Sequence, residues 1–388
     1  MSYIPTKHHP VHWIDGMKIN KDHFVSSDNA FVDQMRDALS QNINEQNYGL
    51  LPFSGFNGEG LKLFLELNQQ SQLQVKVLEC NAITQGGCRI EISEQAASQL
   101  DAASDLLGIT QEITENETQI LWAVLTVNPF QKIPFGPADP DEDPPRHPYT
   151  IPEYKLDLIP DEQAGASEMG LHHITLGRII IEEGEAVLDE YYIPPCTSVN
   201  SHPSLTKYHG ELEKLMHNLE FSVLKVIQKI HQKRQMNDLA KIVLYLGEQM
   251  LLLLSEIIPR FKWTVKHEAP IEMITPVASL ARLIKNTIDT RQGVGKEELL
   301  NYFTNWCDLN QAEFENALGD ITGLQYDHKN IAKAAEKAKY FVQMIASLFM
   351  KLSELDYIGK RGDSHIFVKE ELLKPEKAPT PKGSFLAE

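Results

Sequence analysis

Apolar and polar residues alternate along the first half of the chain and recur at helical intervals along the second half. Residues 73–80 (Leu-Gln-Val-Lys-Val-Leu-Glu-Cys) alternate for most of their length, which is typical of a strand with one solvated face. Residues 120–127 are almost continuously apolar, and 172–181 contain a similar run, so both segments predict strands buried on two faces. Glu183 and Gly184 predict a hairpin turn into residues 186–188. These segments predict a β-sandwich-like domain over residues 1–200.

A proline-rich acidic stretch runs from Pro134 to Pro160 within this half. Proline has no backbone N–H to donate and its φ angle is fixed, so the stretch is predicted to lie outside interior strands. Two interpretations stay open. It is a solvated surface loop, or it is an extended arm that lies across a neighbouring subunit, because a stiff segment loses little entropy on docking.

After Pro203 the apolar residues follow steps of three and four, which is the pattern of a packed helix. The first stripe consists of Leu205, Tyr208, Leu212, Leu215, Leu219, Ser222 and Val226, and a second stripe of Met216, Val223, Ile227 and Ile230. Two adjacent stripes indicate neighbours on two sides, as in a bundle inside an oligomer, but a monomeric bundle gives the same pattern. We therefore predict that contacts between protomers use Leu212, Leu215, Leu219, Val226 and Ile230.

Further helices are predicted over residues 237–257, 276–289, 296–305 and 332–355, with another beginning at Asn310, a favourable N-cap residue. The predicted fold is α+β and multidomain: the β-rich domain, an α-helical bundle over 201–357, and a short end over 358–388. That end holds one strand-like piece, 366–368, and a Pro- and Lys-rich tail predicted to be disordered.

Composition restricts the possible functions. The formal net charge is −18, which argues against nucleic-acid binding, because that requires clustered Lys and Arg. The first ten residues contain no apolar leader, which predicts a cytoplasmic protein. The most apolar run, residues 250–254, is far too short to cross a bilayer, so direct membrane insertion is not expected.

Residues with catalytic potential are few. His8, His9, His12 and His23 allow one enzymatic alternative, a metal-dependent hydrolase, but their spacing matches no helical metal-ligand motif. Residues 293–296 are glycine-rich and depart from the phosphate-loop pattern. The sequence therefore predicts no catalytic, cofactor-binding or metal-binding residues, and an assembly protein is the better hypothesis.

Two short motifs carry more specific information. Near the N-terminus, Trp13 is followed by a Gly16-Met17 pair and a His23-Phe24 pair. In mid-chain, Tyr192, Ile193, Pro194 and Pro195 lead through a cysteine into the helical half. Residues 144–148 (Pro-Pro-Arg-His-Pro) and 326–328 (Tyr-Asp-His) complete the set.

The order and spacing of these motifs resemble the TssK family, the trimeric baseplate subunits of bacterial type VI secretion systems. The resemblance implies a β domain similar to the shoulder of phage receptor-binding proteins, a helical neck, and a homotrimer. It also implies docking to TssF/TssG-like wedge subunits, and a link to a membrane complex or adaptor protein at the inner face of the inner membrane. The family's C-terminal head domain is expected to be missing or reduced.

The resemblance leaves two points open. Trp13 and Phe24 either anchor the N-terminal segment to its own core or serve as contacts to the wedge or to another protomer. A phage-derived tail or receptor-binding protein shares the expected fold and trimer, and it would bind a cell-surface ligand instead of wedge subunits.

Overall fold

The computed structural model describes residues 6–52, 60–93, 107–113, 118–164, 170–291, 293–307 and 309–359. Within these ranges helices and strands are both abundant, with most strands before Cys196 and most helices after it. The predicted mixture of α and β structure is confirmed. The strand-like piece and the tail predicted beyond residue 360 lie outside the described ranges.

The chain begins with a helix that the sequence analysis did not predict, α1 (Lys21–Leu39). Asn20 caps its N-terminus: the Asn20 side chain accepts from the His23 amide, and His23 Nδ1 accepts from the Asn20 amide, both at 3.2 Å. This reciprocal capping satisfies two backbone donors. The interpretation of the whole first half as strand-like was wrong here, because the apolar residues of α1 form no stripe toward a core.

Two antiparallel sheets follow. The first sheet contains β1 (Gly49–Leu50), β2 (Leu61–Leu67), β3 (Gln72–Ile83), β4 (Arg89–Ile92) and β5 (Gly108–Glu112), and β3 pairs with all the others. The second has the order β7-β6-β8-β9, formed by β6 (Gln119–Phe135), β7 (Tyr149–Pro160), β8 (His173–Glu182) and β9 (Glu185–Leu188); the short helix α2 (Asp161–Ala164) follows β7. The predicted central strand at 120–127 and the hairpin at Gly184 are confirmed.

The proline-rich stretch is partly a strand, so the interpretations as a surface loop or an extended arm were wrong for residues 149–160, although these residues do lie outside interior strands as predicted. These residues form β7, which pairs with β6 along its length. β7 lies at the end of its sheet, where a proline such as Pro152 removes no hydrogen bond from a second neighbour. The inner faces of the two sheets share an apolar core that includes Val75, Leu125 and Ile174.

Six α-helices follow in the described chain, together with two three-residue 3-10 helices. The α-helices are α3 (Pro203–Gln232), α4 (Asp238–Trp263), α5 (Ile271–Asp289), α6 (Val294–Cys307), α7 (Gln311–Thr322) and α8 (Ile331–Glu354). The helices predicted from the spacing are confirmed, and Asn310 caps α7 by accepting from the Ala312 amide at 2.8 Å. α5 begins five residues before its predicted start, so Pro276 lies inside it.

α4 is long and apolar enough to cross a membrane by length and composition alone. In the structure it contacts α3, α5 and α6, and ten of its residues are buried, among them Leu246 and Met250. Its outer side carries charged residues, including Lys241 and Glu248. These contacts are those of a core helix in a bundle.

Candidate interaction surfaces

The N-terminal motif forms an aromatic cluster. Gly16 adopts a left-handed conformation (φ +79°) in a turn where the Met17 amide donates to the Ile14 carbonyl at 3.3 Å. The turn and the Asn20 cap bring Trp13 back over the start of α1. Its ring centroid lies 6.0 Å from that of His23 and 6.2 Å from that of Phe24.

This cluster faces solvent. Trp13 is 49% exposed and Phe24 is 58% exposed, so neither side chain anchors the segment to the core. Phe31 and Met35 are also exposed. Phe31 lies seven residues after Phe24 and Met35 lies four residues after Phe31, so all three are on the same face of α1. We call Trp13, Phe24, Phe31 and Met35 the N-terminal apolar surface.

The opposite face of α1 holds the N-terminal segment in place. Asp33 is fully buried and accepts from the backbone amides of Lys7 and His8 at 2.9 and 2.8 Å. It also forms an ion pair with Arg36 at 2.9 Å. Burial raises the pKa of Asp33, but these hydrogen bonds and the Arg36 charge outweigh burial and leave the pKa lowered. The His8 ring packs against Phe130 of β6 with centroids 4.4 Å apart.

The mid-chain motif joins the sheets to the helices. Tyr192, Ile193, Pro194 and Pro195 are all buried. The Pro195 carbonyl accepts from the Leu50 amide at 2.7 Å.

Gly49 makes the close approach at Pro195 possible. A Cβ atom at Gly49 would lie 2.0 Å from the Pro195 carbonyl oxygen, and its φ is +117°. The sequence analysis did not single out Gly49, because the close contact involves a residue far away in the chain.

A buried histidine forms a second link between the helices and the segment before β1. His328, between α7 and α8, donates from Nε2 to the Tyr48 carbonyl, and its Nδ1 accepts from the Tyr326 hydroxyl, both at 2.8 Å. Burial lowers the pKa of His328 and raises the pKa of Tyr48 to about 12. The imidazole is therefore held in one neutral tautomer. The Tyr-Asp-His motif thus joins the helical part to the first strand.

Comparison with known proteins shows what part of the chain and its fold are similar to. Residues 143–271 match the family described as bacterial type VI secretion (EvfL, ImpJ, VasE). This range begins within the proline-rich stretch, includes the junction, α3 and α4, and ends at the first residue of α5. A crystal structure of TssK has a similar fold, with a TM-score of 0.50 and 14% identity, covering 87% of this chain and 69% of that one.

The fold is TssK-like.

A second solved structure, a TssK-TssF-TssG baseplate subcomplex of the type VI secretion system, contains a chain that is also 14% identical. The match covers 88% of the TssK-like chain and 99% of the other, with a TM-score of 0.48. Comparison with curated proteins gives no significant match.

The predicted neck residues lie inside the bundle of the TssK-like chain. Leu212, Leu219, Val226 and Ile230 are buried on the side of α3 that contacts α4 and α8, and Leu215 is partly buried against the same core. The first four are therefore used within one chain, because a side chain with almost no exposed surface has nothing left for a second protomer. A contact between protomers needs other side chains.

In the described part of the chain, the histidines and cysteines that could serve catalysis or metal binding do not come together in one site. Within the residues that the structure describes, no group of three or more His, Cys, Asp or Glu side chains is arranged to hold a metal ion. His8 is directed to Asp33, with Nδ1 at 3.2 Å from Oδ2. Burial raises the pKa of Cys80 to about 12, so this thiol is a poor nucleophile.

Proposed function

We propose that this chain is a non-enzymatic structural subunit of a type VI secretion baseplate. It would act as a homotrimeric adaptor that links TssF/TssG-like wedge subunits to a membrane-anchored complex or its adaptor protein. It would work in the cytoplasm, at the inner face of the inner membrane, with no cofactor and no nucleic acid. The likeness to TssK supports the assignment, and the exposed N-terminal apolar surface is the observation that carries it.

The exposure of that surface is unfavourable for the chain alone. Large apolar side chains that stay exposed to water raise the free energy of the folded chain by about 25 cal/mol for each Å² of apolar surface, relative to burial. Exposed clusters of this kind are typical of protein–protein contact sites. Aromatic residues such as Trp13 and Phe24 also dominate the binding energy at many interfaces.

Several contacts hold the N-terminal apolar surface in a fixed conformation before any partner binds. The Asn20 cap fixes the start of α1, and Asp33 fixes residues 7 and 8. A Lys132–Asp28 ion pair at 2.7 Å ties α1 to β6. Because these contacts already hold Trp13 and Phe24 in position, little conformational entropy is lost on binding. We assign the wedge contact to this surface.

This assignment gives the two parts of the chain different roles. The β-rich domain, residues 1–200, would hold the wedge through α1, and the helical neck, residues 201–357, would extend away from it. The buried junction at Tyr192–Pro195 would keep the two parts aligned.

The test is capture of the wedge. The full chain is co-expressed with TssF/TssG-like subunits, and binding is compared between the wild type and Trp13→Ala/Phe24→Ala. Trp263→Ala is the matched control, because Trp263 is 67% exposed at the end of α4. We expect the double variant to bind at least about 30-fold more weakly, as for two hot-spot residues, and the control to bind like the wild type.

Two results would overturn parts of the proposal. Wild-type protein that captures no wedge subunit would remove the baseplate assignment. Equal capture by the wild type and the double variant would remove the N-terminal apolar surface as the contact and keep the assignment.

A further inference from the structure

The end of the helical bundle that lies farthest from the sheets carries a cluster of positive charges. α3 and α8 both begin near the junction with the sheets, and they end side by side, where Lys229 Nζ donates to the Ser353 carbonyl at 2.5 Å. At a rise of about 1.5 Å per residue, the 30 residues of α3 place this end roughly 45 Å from the junction. We call the segment from Lys225 to Met236, which ends α3 and begins the turn into α4, the bundle tip.

The bundle tip is basic, whereas the chain as a whole is acidic. Residues 225–234 contain three lysines, one arginine, one histidine and no acidic residue, although the formal net charge of the chain is −18. The apolar residues of the same turns, Val226, Ile227 and Ile230, are buried in the bundle. The tip therefore has one side that packs within the chain and one side that is cationic.

Most of these cations are not neutralised by a carboxylate. Lys233 pairs with Asp356, but Lys225, Lys229 and Arg234 form no ion pair within the described residues. Lys229 donates instead to backbone carbonyls at the end of α8, and these carry no net charge. Burial lowers the pKa of Lys229, and the positive charges of Lys233 and Lys225 lower it further. The tip thus holds like charges close together, and an anionic surface would relieve their repulsion.

Arg234 occupies a position where glycine is the usual residue. It follows the end of α3 with a φ of +47°, and the amides of Arg234 and Gln235 donate back to the His231 and Ile230 carbonyls at 3.1 and 3.0 Å. This is the Schellman arrangement, whose left-handed residue is most often glycine, because a Cβ atom is unfavourable there. The Arg234 side chain is exposed, so nothing in the described fold explains an arginine at this position.

We propose that the bundle tip binds the surface of a membrane that contains anionic phospholipids. This inference rests on the proposed function, which places the wedge on the β-rich domain and the opposite end of the chain toward the inner membrane. The contact is electrostatic: the side chains meet phosphate groups at the surface, and no helix enters the bilayer. Each lysine or arginine near an anionic lipid surface favours binding, and clusters of four or more are typical of such sites.

The distribution of charge allows only one orientation at the membrane. Charges are screened over about 8 Å at physiological ionic strength, so a membrane at the tip lies several screening lengths away from the acidic side chains near the sheets. Other approaches would bring acidic parts of the chain against anionic lipid. Met236 supports the choice of a lipid surface, because it is 75% exposed close to Arg234, and exposed apolar side chains among cations are typical of segments that lie on membranes.

The first experiment measures binding of the full chain to vesicles by co-flotation. Vesicles of phosphatidylcholine alone are compared with vesicles in which one lipid in three is phosphatidylglycerol. We expect binding only to the anionic vesicles, and we expect it to be lost as the sodium chloride concentration rises, because salt screens the contact. Equal binding to both kinds of vesicle, or no binding to either at low salt, would overturn the proposal.

Lys225→Glu/Arg234→Glu tests whether the contact is at the tip. Both residues are exposed and neither holds the end of α8, so the variant should fold. The loss of two cations should lower the partition coefficient on anionic vesicles at least about 25-fold, at roughly five-fold for each cation. Lys207→Glu/Lys333→Glu is the matched control, because it changes the net charge equally at exposed positions near the starts of α3 and α8, and it should bind like the wild type. Equal losses in the two variants would overturn the assignment to the tip.

Arg234→Gly separates a lipid contact from a structural role. Glycine adopts the positive φ without strain, so the variant should unfold at a higher temperature than the wild type. Its partition coefficient on anionic vesicles should nevertheless fall about five-fold, because one cation is lost. A variant that binds anionic vesicles like the wild type would overturn the role of Arg234 at the lipid surface.

Vesicle binding and wedge capture can fail separately. A wild type that binds anionic vesicles but captures no wedge subunit would remove the baseplate assignment and keep the tip as a lipid contact. A wild type that captures the wedge but binds no vesicles would overturn the lipid contact and keep the assignment. Binding to polyglutamate in place of anionic vesicles would assign the tip to an acidic protein and would also overturn the lipid contact.

Discussion

His328 donates a hydrogen bond to the carbonyl of Tyr48 across 280 positions of sequence, at 2.8 Å. The donor belongs to the loop before α8, and the acceptor immediately precedes β1. Both groups are buried, where an unpaired donor or acceptor costs about 1–3 kcal/mol. The helical part therefore contributes directly to the stability of the first strand.

The His328 bond predicts a pH dependence of stability. Burial lowers the pKa of His328 below its ordinary value of 6.5, so the unfolded chain binds the proton more readily than the folded chain. The contribution of His328 is complete above the unfolded pKa and is lost as the pH falls through the folded pKa. The free energy of unfolding should therefore decrease below about pH 6.5, which urea unfolding at a series of pH values will measure.

His328→Gln is the control for this prediction. Glutamine can still donate to Tyr48 and does not titrate. Burial also lowers the pKa of His172 and His202, so His328→Gln should keep part of the pH dependence. The slope of its free energy of unfolding against pH should be smaller than that of the wild type by at most about 1.4 kcal/mol per pH unit. An identical slope in both proteins would contradict the assignment to His328.

Gly49→Ala should damage the junction. The new Cβ would lie 2.0 Å from the Pro195 carbonyl oxygen at a φ of +117°, so the backbone must move and the Leu50–Pro195 hydrogen bond is strained. We expect a loss of roughly 3 kcal/mol or more in the free energy of unfolding, the range of severe backbone effects. Gly184→Ala has a similar positive φ with open space around it and should cost only about 1 kcal/mol.

Substitutions on the two sides of α3 should have opposite consequences. Leu219→Ala removes a completely buried side chain and should reduce the free energy of unfolding by about 2–5 kcal/mol. Leu224→Ala, on the exposed side of α3, should change the stability of the monomer by less than about 0.5 kcal/mol. Thermal unfolding at low protein concentration checks both values, and similar losses would contradict the separation of the two sides.

Asp33→Asn should release the N-terminal segment. The neutral amide accepts more weakly from the Lys7 and His8 amides and loses the ion pair with Arg36, so residues 6–20 should exchange amide hydrogens faster. Hydrogen exchange followed by mass spectrometry will show this. Asp37→Asn is the control, because Asp37 also contacts Arg36 but is largely exposed, and its exchange should match the wild type.

Periodicity in the sequence identified most of the fold. The central strand at 120–127 and the long helices were predictable, because each buries a continuous run or a regular stripe. α1 was missed because most of its residues are polar, so that Phe24, Phe31 and Met35 form only a sparse apolar stripe. β7 was missed because proline argues against interior strands, and β7 is at an edge.

The candidate surfaces were predictable to a smaller extent. The N-terminal motif identified Trp13 and Phe24, and the structure brings their rings together. The spacing of the two residues in the sequence does not reveal that both are exposed. The stripe of Leu212 and Leu219 was assigned to contacts between protomers, whereas it fills the chain's own bundle. A pattern shows which residues share a face of a helix, and it does not show which molecule covers that face.

The clasp between His328 and Tyr48 has a mechanical consequence. Within the described residues the chain passes from the sheets to the helices once, just after Cys196, and a body attached at one point can rotate about it. The clasp adds a second, non-covalent attachment through the loop before α8. Two attachment points restrict that rotation. We therefore expect a force applied to the sheets to reach α3 and α8 together, so that the bundle and the sheets turn as one body.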